Sequence, residues 1–396
     1  MNATKAMTLL AAVAVGLSAQ ALTLAVKDVK IAQRYPWNGL VDVDYTVECD
    51  DPDADVYVYP VGYDVDMNVS IPPRTLTGDG TNGKAVKAGT HRMTWDMAKD
   101  MGENYNRAKF SMKVHAYAGA APYMVIDLSA GSNAEKYEVS YLNEMPDTEW
   151  PAEYKATKLV LKLIAPGTFM MGSPAEEHDP VIKDYGYWGY ETLHKVTLNQ
   201  PFYCAVFELT GQQHDLIMGG GSTDYNPKTG LSYNYLRGAT LGSKWPEHRQ
   251  VDASSLIGKL RSRTGVTIDL PTEAQWEYAC RAGDTRSTSG NPNTWGLYGM
   301  NATPAEWCLD WLKKNLGNAP AVDPVGPTSG EDGCRILRGG VNCSYYGVTD
   351  TRSAARVYRN YRYSNDYDFT RPNVSSLDYG GGACLGCRLV ALPAAK

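Results

Sequence analysis

Positive charge is in short supply. Against 44 acidic residues the chain sets 38 basic ones, a net charge of -6, which removes the electrostatic footprint that nucleic acid or an anionic membrane surface requires. Phenylalanine is scarce too, five against 27 tyrosines; a phenol suits a surface that faces both water and a partner. Beyond Met7–Leu17 no apolar run approaches the roughly 20 residues that cross a bilayer, so no membrane span is expected. The six histidines, His91, His115, His178, His194, His214 and His248, include no i, i+4 pair that would place two imidazoles on one helix face, and this argues against a histidine-held metal. No internal repeat and no low-complexity tract occurs, so a repeat array is excluded.

What is present starts with Lys5, followed by the apolar run Met7–Leu17 and by Ala19-Gln20-Ala21. That order of charge, short apolar stretch and small residues is a secretory signal peptide, expected to occupy 1–21 and to leave a mature chain starting at Leu22. Export would end in the periplasm, at the cell surface or outside. Of eight cysteines seven lie between Cys204 and Cys387. In an oxidising compartment disulfides are their default fate.

The length of 396 residues accommodates two or three domains of roughly 100–200 residues each. From 22 to 119 short segments of period two, VDVDYTVEC, DVYVYPV and FSMKVHAYA, alternate with turns such as TLTGDGTNGK. The pattern predicts an all-β immunoglobulin-like sandwich, although Cys49 stands alone and the Cys-Trp-Cys hallmark is missing. Residues 120–157, with Pro122, Pro146 and Pro151, read as a linker. From 158 to 396 the texture becomes mixed. KLVLKLIAPGTFMMGS is strand-like, and three short helices are punctuated by their own residues: Thr210 with Gln213 and Thr272 with Gln275 as capping boxes, Asp252 as a cap, and Gly219, Gly265 and Gly283 as terminators. Trp276, Ala279 and Cys280 share one face of the third, expected to be buried. Few helices among many loops predict an irregular α+β domain.

The order of PGTFMMGS, HKVTLNQPFYCAVFELTGQQHDLIMG, LPTEAQWEYACRAG, WGLYGM, EWCLDW, DPVGPTSG, RILRGG, RSAAR and LGCRLV resembles the formylglycine-generating-enzyme family, also called sulfatase-modifying factors, from about Lys158 to Leu392. The resemblance implies a fold related to C-type lectins. It also implies a copper- and thiol-dependent oxidase that converts a substrate cysteine to formylglycine through two cysteines five positions apart. Two soft thiolates select Cu(I). Counted back from Arg352-Ser353-Ala354-Ala355-Arg356, Cys343 takes the first of those positions and Val348 the second. The Arg338-Gly339-Gly340 turn is kept, with glycines suited to positive φ, but the metal-binding pair is not.

The family's calcium segment resembles Gly-Asn-Val-Trp-Glu-Trp; here only Glu306 and Trp307 remain of it, and no metal site is expected. Iron, used by related branches, lacks its histidines. Arg352, Arg356 and Arg388 are expected to be internal framework, paired with carboxylates such as Glu277 or Glu306. Cys384-Leu-Gly-Cys387 has redox spacing without a helix to follow, and buried thiols or a disulfide of Cys343 with Cys384 or Cys387 are the expected alternatives.

The segment 342–379 is crowded with Tyr, Asn, Ser, Asp and Gly, the composition of an antibody paratope. It also resembles the diversified positions in variable proteins of diversity-generating retroelements. The expectation is a non-catalytic or altered domain that binds a protein or glycan through Asn342, Tyr345, Tyr346, Tyr361 and Tyr363. An oxidase with Cys343 as its catalytic thiol, taking copper as cofactor and a second sulfur from Cys384 or Cys387, and a purely structural surface protein are the competing readings.

Overall fold

The computed structural model describes residues 23–36, 38–66, 69–102, 110–177, 191–284, 291–302, 304–343, 348–350, 352–360 and 385–393, with backbone alone for 341–343, 348–350 and 357–360. The architecture is mostly β with a few short helices.

Alternation of apolar and polar residues builds the N-terminal part. Leu40–Cys49 sits between Leu24–Gln33 and Gly89–Asp96, with Leu76–Gly78 beyond, while Val56–Asp64 sits between Val69–Ile71 and Phe110–Ala118. All pairings in both sheets are antiparallel. Every second residue of Leu40–Cys49 turns inward, Val41, Val43, Tyr45 and Val47, and meets Val56, Val58, Met112 and Val114 of the other sheet in one shared core. Burying one face of each strand is the period-two pattern read as packing.

The second part is organised by Lys158–Ile164. Its sequence KLVLKLI has no clean alternation because both faces are covered: Leu159, Leu161 and Leu163 pack into one core, and Val160 and Ile164 into another. The sheet around it runs Ile268–Asp269, Val390–Ala391, Phe202–Ala205, Lys158–Ile164, Tyr123–Asp127, Glu138–Leu142. The stretch 120–157 is therefore no loose linker. It supplies two strands of this sheet, Tyr123–Asp127 pairing with Lys158–Ile164 from Lys158↔Asp127 to Lys162↔Tyr123. Its prolines and acidic residues lie mainly outside the paired positions, where they do not break the ladder.

The helices follow their local signals with two exceptions. Gly211–Met218 and Glu273–Arg281 carry complete capping boxes from Thr210 and Thr272. Leu256–Thr264 ends at left-handed Gly265, but its cap is Ser255, whose side chain accepts from Gly258 N–H. Asp252 accepts instead from the N–H groups of Thr240 and Leu241. Glu273–Arg281 is buried all round, Trp276, Ala279 and Cys280 included, and leaves the helical conformation through Ala282, φ 48°, one residue before Gly283.

A further sheet runs Val357–Asn360, Cys334–Arg338, Ala305–Trp311, Leu385–Gly386. Beside it Val341–Cys343 and Val348–Asp350 form an antiparallel hairpin.

Candidate functional site

The hairpin stands on arginines of which Arg338 and Arg356 are wholly buried and Arg352 half-buried, and a buried guanidinium is stable only when carboxylates and carbonyls satisfy its fork. Arg338 donates to the Ser353 and Ala354 carbonyls at 2.8 and 3.0 Å, which ties the chain leaving the hairpin to the chain entering it. The same guanidinium reaches Glu277 and, more distantly, Glu273 of helix Glu273–Arg281. Arg356 meets Glu273 through two bonds, 2.6 and 3.0 Å, and also donates to the Lys313 and Lys314 carbonyls. Arg352 holds Glu191 through two bonds of 2.9 Å. Glu277 takes Arg338 and Arg281, not one of the three arginines named from sequence, and Arg352 and Arg356 use Glu191 and Glu273.

The two glycines of the turn have different duties. Gly339 has φ +96°, where a side chain is strained; Gly340 does not, but a Cβ there would lie 2.7 Å from the Ala302 carbonyl carbon. Close approach, not chirality, fixes the second glycine.

A second centre joins Arg388 and Glu306. Arg388 donates to Glu306 at 2.8 Å and to the Ala205, Val206 and Tyr298 carbonyls, and Trp276 Nε1 donates to Glu306 at 2.6 Å. Trp307 is fully buried beside it, its Nε1 donating to the Leu231 carbonyl at 2.8 Å. Sequence reading passed over Glu208, a lone acid in the apolar run AVFELTG. It is buried with one carboxylate oxygen unbonded, and burial, reinforced by the charge of Glu306, pushes it up to about 8. Arg388 touches Glu306, so Glu306 keeps the charge and Glu208 holds the proton.

This has a consequence for stability. The folded Glu208 keeps a proton that the unfolded chain releases above its ordinary value of 4.5, so its contribution falls as pH rises from there to about 8, by up to about 1.4 kcal/mol per pH unit. Glu208→Gln should therefore gain on the wild type across that window and match it at pH 4. Urea midpoints of both proteins at pH 4, 6 and 8 check this; a pH-independent difference sinks it.

No disulfide joins the described residues, and Cys49, Cys204, Cys308 and Cys387 carry free thiols. Cys387 is buried in the core, and burial pushes its thiol well up, as it pushes Cys204 up to about 12. The pairing of Cys343 with Cys387 expected from sequence is thus not formed; Cys384 lies outside the described residues.

The hairpin register decides what the family position can hold. Cys343 pairs directly with Val348, Asn342 with Thr349 and Val341 with Asp350. The two positions that the resemblance assigns to copper ligands are cross-strand neighbours, and one carries a valine. One thiol and one valine at these two positions do not fit copper. In the segment the resemblance aligns with a calcium site, the Ala302 carbonyl accepts from Gly340 N–H, and Glu306 is taken by Arg388 and Trp276. Among the described residues no three His, Cys, Asp or Glu side chains cluster as metal ligands. Tyr345, Tyr346, Tyr361 and Tyr363 lie outside the described residues, and Asn342 and Cys343 are placed by backbone in Val341–Cys343. The ends of the tyrosine-rich stretch are placed as well. It leaves from Val357–Asn360 on one edge of its sheet and returns at Leu385–Gly386 on the opposite edge.

Residues 151–291 match the sulfatase-modifying factor enzyme 1-like domain, and the chain carries such a domain there. Over 151 residues it is 28% identical to the formylglycine-generating enzyme of Streptomyces coelicolor, 26% of this chain and 48% of that protein. Over 115 residues it is 31% identical to a serine/threonine-protein kinase of Chlamydia pneumoniae, 23% of this chain and 18% of that one. The chain thus spans less than half of either relative. The solved structure of PvdO from Pseudomonas aeruginosa superposes with a TM-score of 0.40 at 16% identity, covering 59% of this chain and 94% of that one.

Proposed function

We propose that this is an exported protein in which an immunoglobulin-like sandwich, 22–119, presents a sulfatase-modifying-factor-like domain, 158–396, that has exchanged oxidation for binding. The ligand is a protein or glycan, and Asn342, Tyr345, Tyr346, Tyr361 and Tyr363 are its contacts. The observation that carries the reading is the Cys343↔Val348 register: one sulfur where two are needed for Cu(I). Support comes from the buried arginine frame, which fixes both ends of the hairpin, since binding loops work when a rigid scaffold holds their ends. Two antiparallel sheets around one core support the sandwich, and the N-terminal sequence supports export.

Glycan and peptide arrays probed with the mature wild type and with Tyr345→Ala/Tyr346→Ala test it. The wild type should mark a restricted set of features, and the double variant should lose them at least about tenfold, the loss of one strong aromatic contact, with thermal unfolding unchanged. Equal marking by both proteins would remove the proposal.

A further inference from the structure

We propose that the cleft between the N-terminal sheets and the second domain binds a small organic anion, a carboxylate carried on one flat ring, with Lys162 as its counter-ion. The cleft has a volume of about 280 Å³, and its described lining residues include three cations, Arg74, Lys84 and Lys162, with no Asp or Glu among them. In a chain with 44 acidic and 38 basic residues, three cations and no carboxylate among the described lining residues make this cleft locally positive.

The three cations differ in what they already hold. Arg74 leans on Asp100, with its Nε 3.9 Å from the carboxylate, and Lys84 is exposed. Lys162 is half-buried in the middle of Lys158–Ile164, and among the described residues no carboxylate comes within ion-pairing distance of it. Its Nζ donates to the Trp295 carbonyl at 2.6 Å and lies 5.6 Å from the Tyr123 ring centroid. An ammonium has three donors, so two remain for a ligand. Removal from water without a counter-charge pushes Lys162 down to about 8, the cost that a bound carboxylate would offset.

The walls supply the rest of the recognition. Tyr57 and Tyr59 line the cleft with their hydroxyls already committed to Asn143 and to the Ala120 carbonyl, at 2.8 Å each. Pro72 and Trp295 complete the lining. Apolar walls with one convergent charge are the usual makeup of a small-molecule site, and this volume sits at the small end of such sites. A single ring fits; a polymer does not. The site is built from both parts of the chain and owes nothing to the hairpin, so it stands or falls apart from the function proposed above.

Benzoate titrated into the full-length mature protein by calorimetry tests the proposal, with cyclohexylammonium as the charge-reversed probe. One benzoate site of millimolar affinity or tighter is expected, with no heat from cyclohexylammonium. Affinity should fall about tenfold per pH unit above pH 8, because the anion needs the protonated amine. Lys162→Met should weaken benzoate at least about tenfold; if that variant misfolds, the wild-type pH profile carries the decision. No saturation by about 20 mM benzoate, well above the expected range, overturns the proposal, as does equal binding of the cation, a flat pH profile, or full affinity in a folded Lys162→Met protein.

Discussion

Replacing Arg388 by methionine should lower the stability of the protein by about 3–5 kcal/mol at neutral pH, seen as a fall in the urea midpoint at unchanged slope. Arg388 has no contact with water, and its fork satisfies Glu306 and three backbone carbonyls at once. Methionine fills a similar volume, so packing changes little; what is lost is the charge that makes a buried Glu306 tolerable. Burial already pushes Glu306 up with Arg388 in place. Without it the acid takes a proton, Glu208 and Glu306 become two neutral acids side by side, and the Ala205, Val206 and Tyr298 carbonyls lose a donor. Adding Glu306→Gln should recover part of the loss, because an amide needs no counter-ion. A single-variant loss below about 1 kcal/mol, the range of an exposed pair, would show that solvent reaches this centre.

Those ion pairs also mark the limit of what the sequence could reveal. Thr210 with Gln213, and Thr272 with Gln275, were legible because a capping box is complete within four residues. Asp252 was misleading for the opposite reason: Asp and Ser are both good caps, three residues apart, and the choice was made by Thr240 and Leu241, whose N–H groups claim Asp252 from outside the helix. The strand Tyr123–Asp127 hid in a proline-bearing stretch because its partner, Lys158–Ile164, lies about thirty residues on, and only that pairing makes it a strand. Arg352, Arg356 and Arg388 could be named as framework, with Glu306 among their acids, but Glu191 and Glu273 could not, since they reach Arg352 and Arg356 over separations of 161 and 83 residues. Lys162 and Glu208 did leave a trace, a single charge inside an apolar run. Such a residue either finds a partner across the fold or stays unpaired, and only the fold tells which.

Writing a cysteine at position 348 should give the protein a tight Cu(I) site that the wild type does not have. Directly opposed residues of an antiparallel pair hold their Cβ atoms about 4.5–5.5 Å apart, and Cys343 opposes Val348, so Val348→Cys sets two thiols facing each other across the hairpin. Two thiolates on one Cu(I) are worth far more than one, because a lone thiolate must complete the coordination with weaker ligands. The expected gain is on the order of a thousandfold in affinity, about 4 kcal/mol, measured by competition with a chromogenic Cu(I) chelator under reducing conditions. Cys343→Ser in the same background should abolish it. Two results would count against the account of this hairpin. If the wild type binds Cu(I) as tightly as Val348→Cys, a second sulfur reaches Cys343 from elsewhere and the oxidase reading returns. If Val348→Cys gains nothing while folded and reduced, the register does not bring the two positions within reach of one ion.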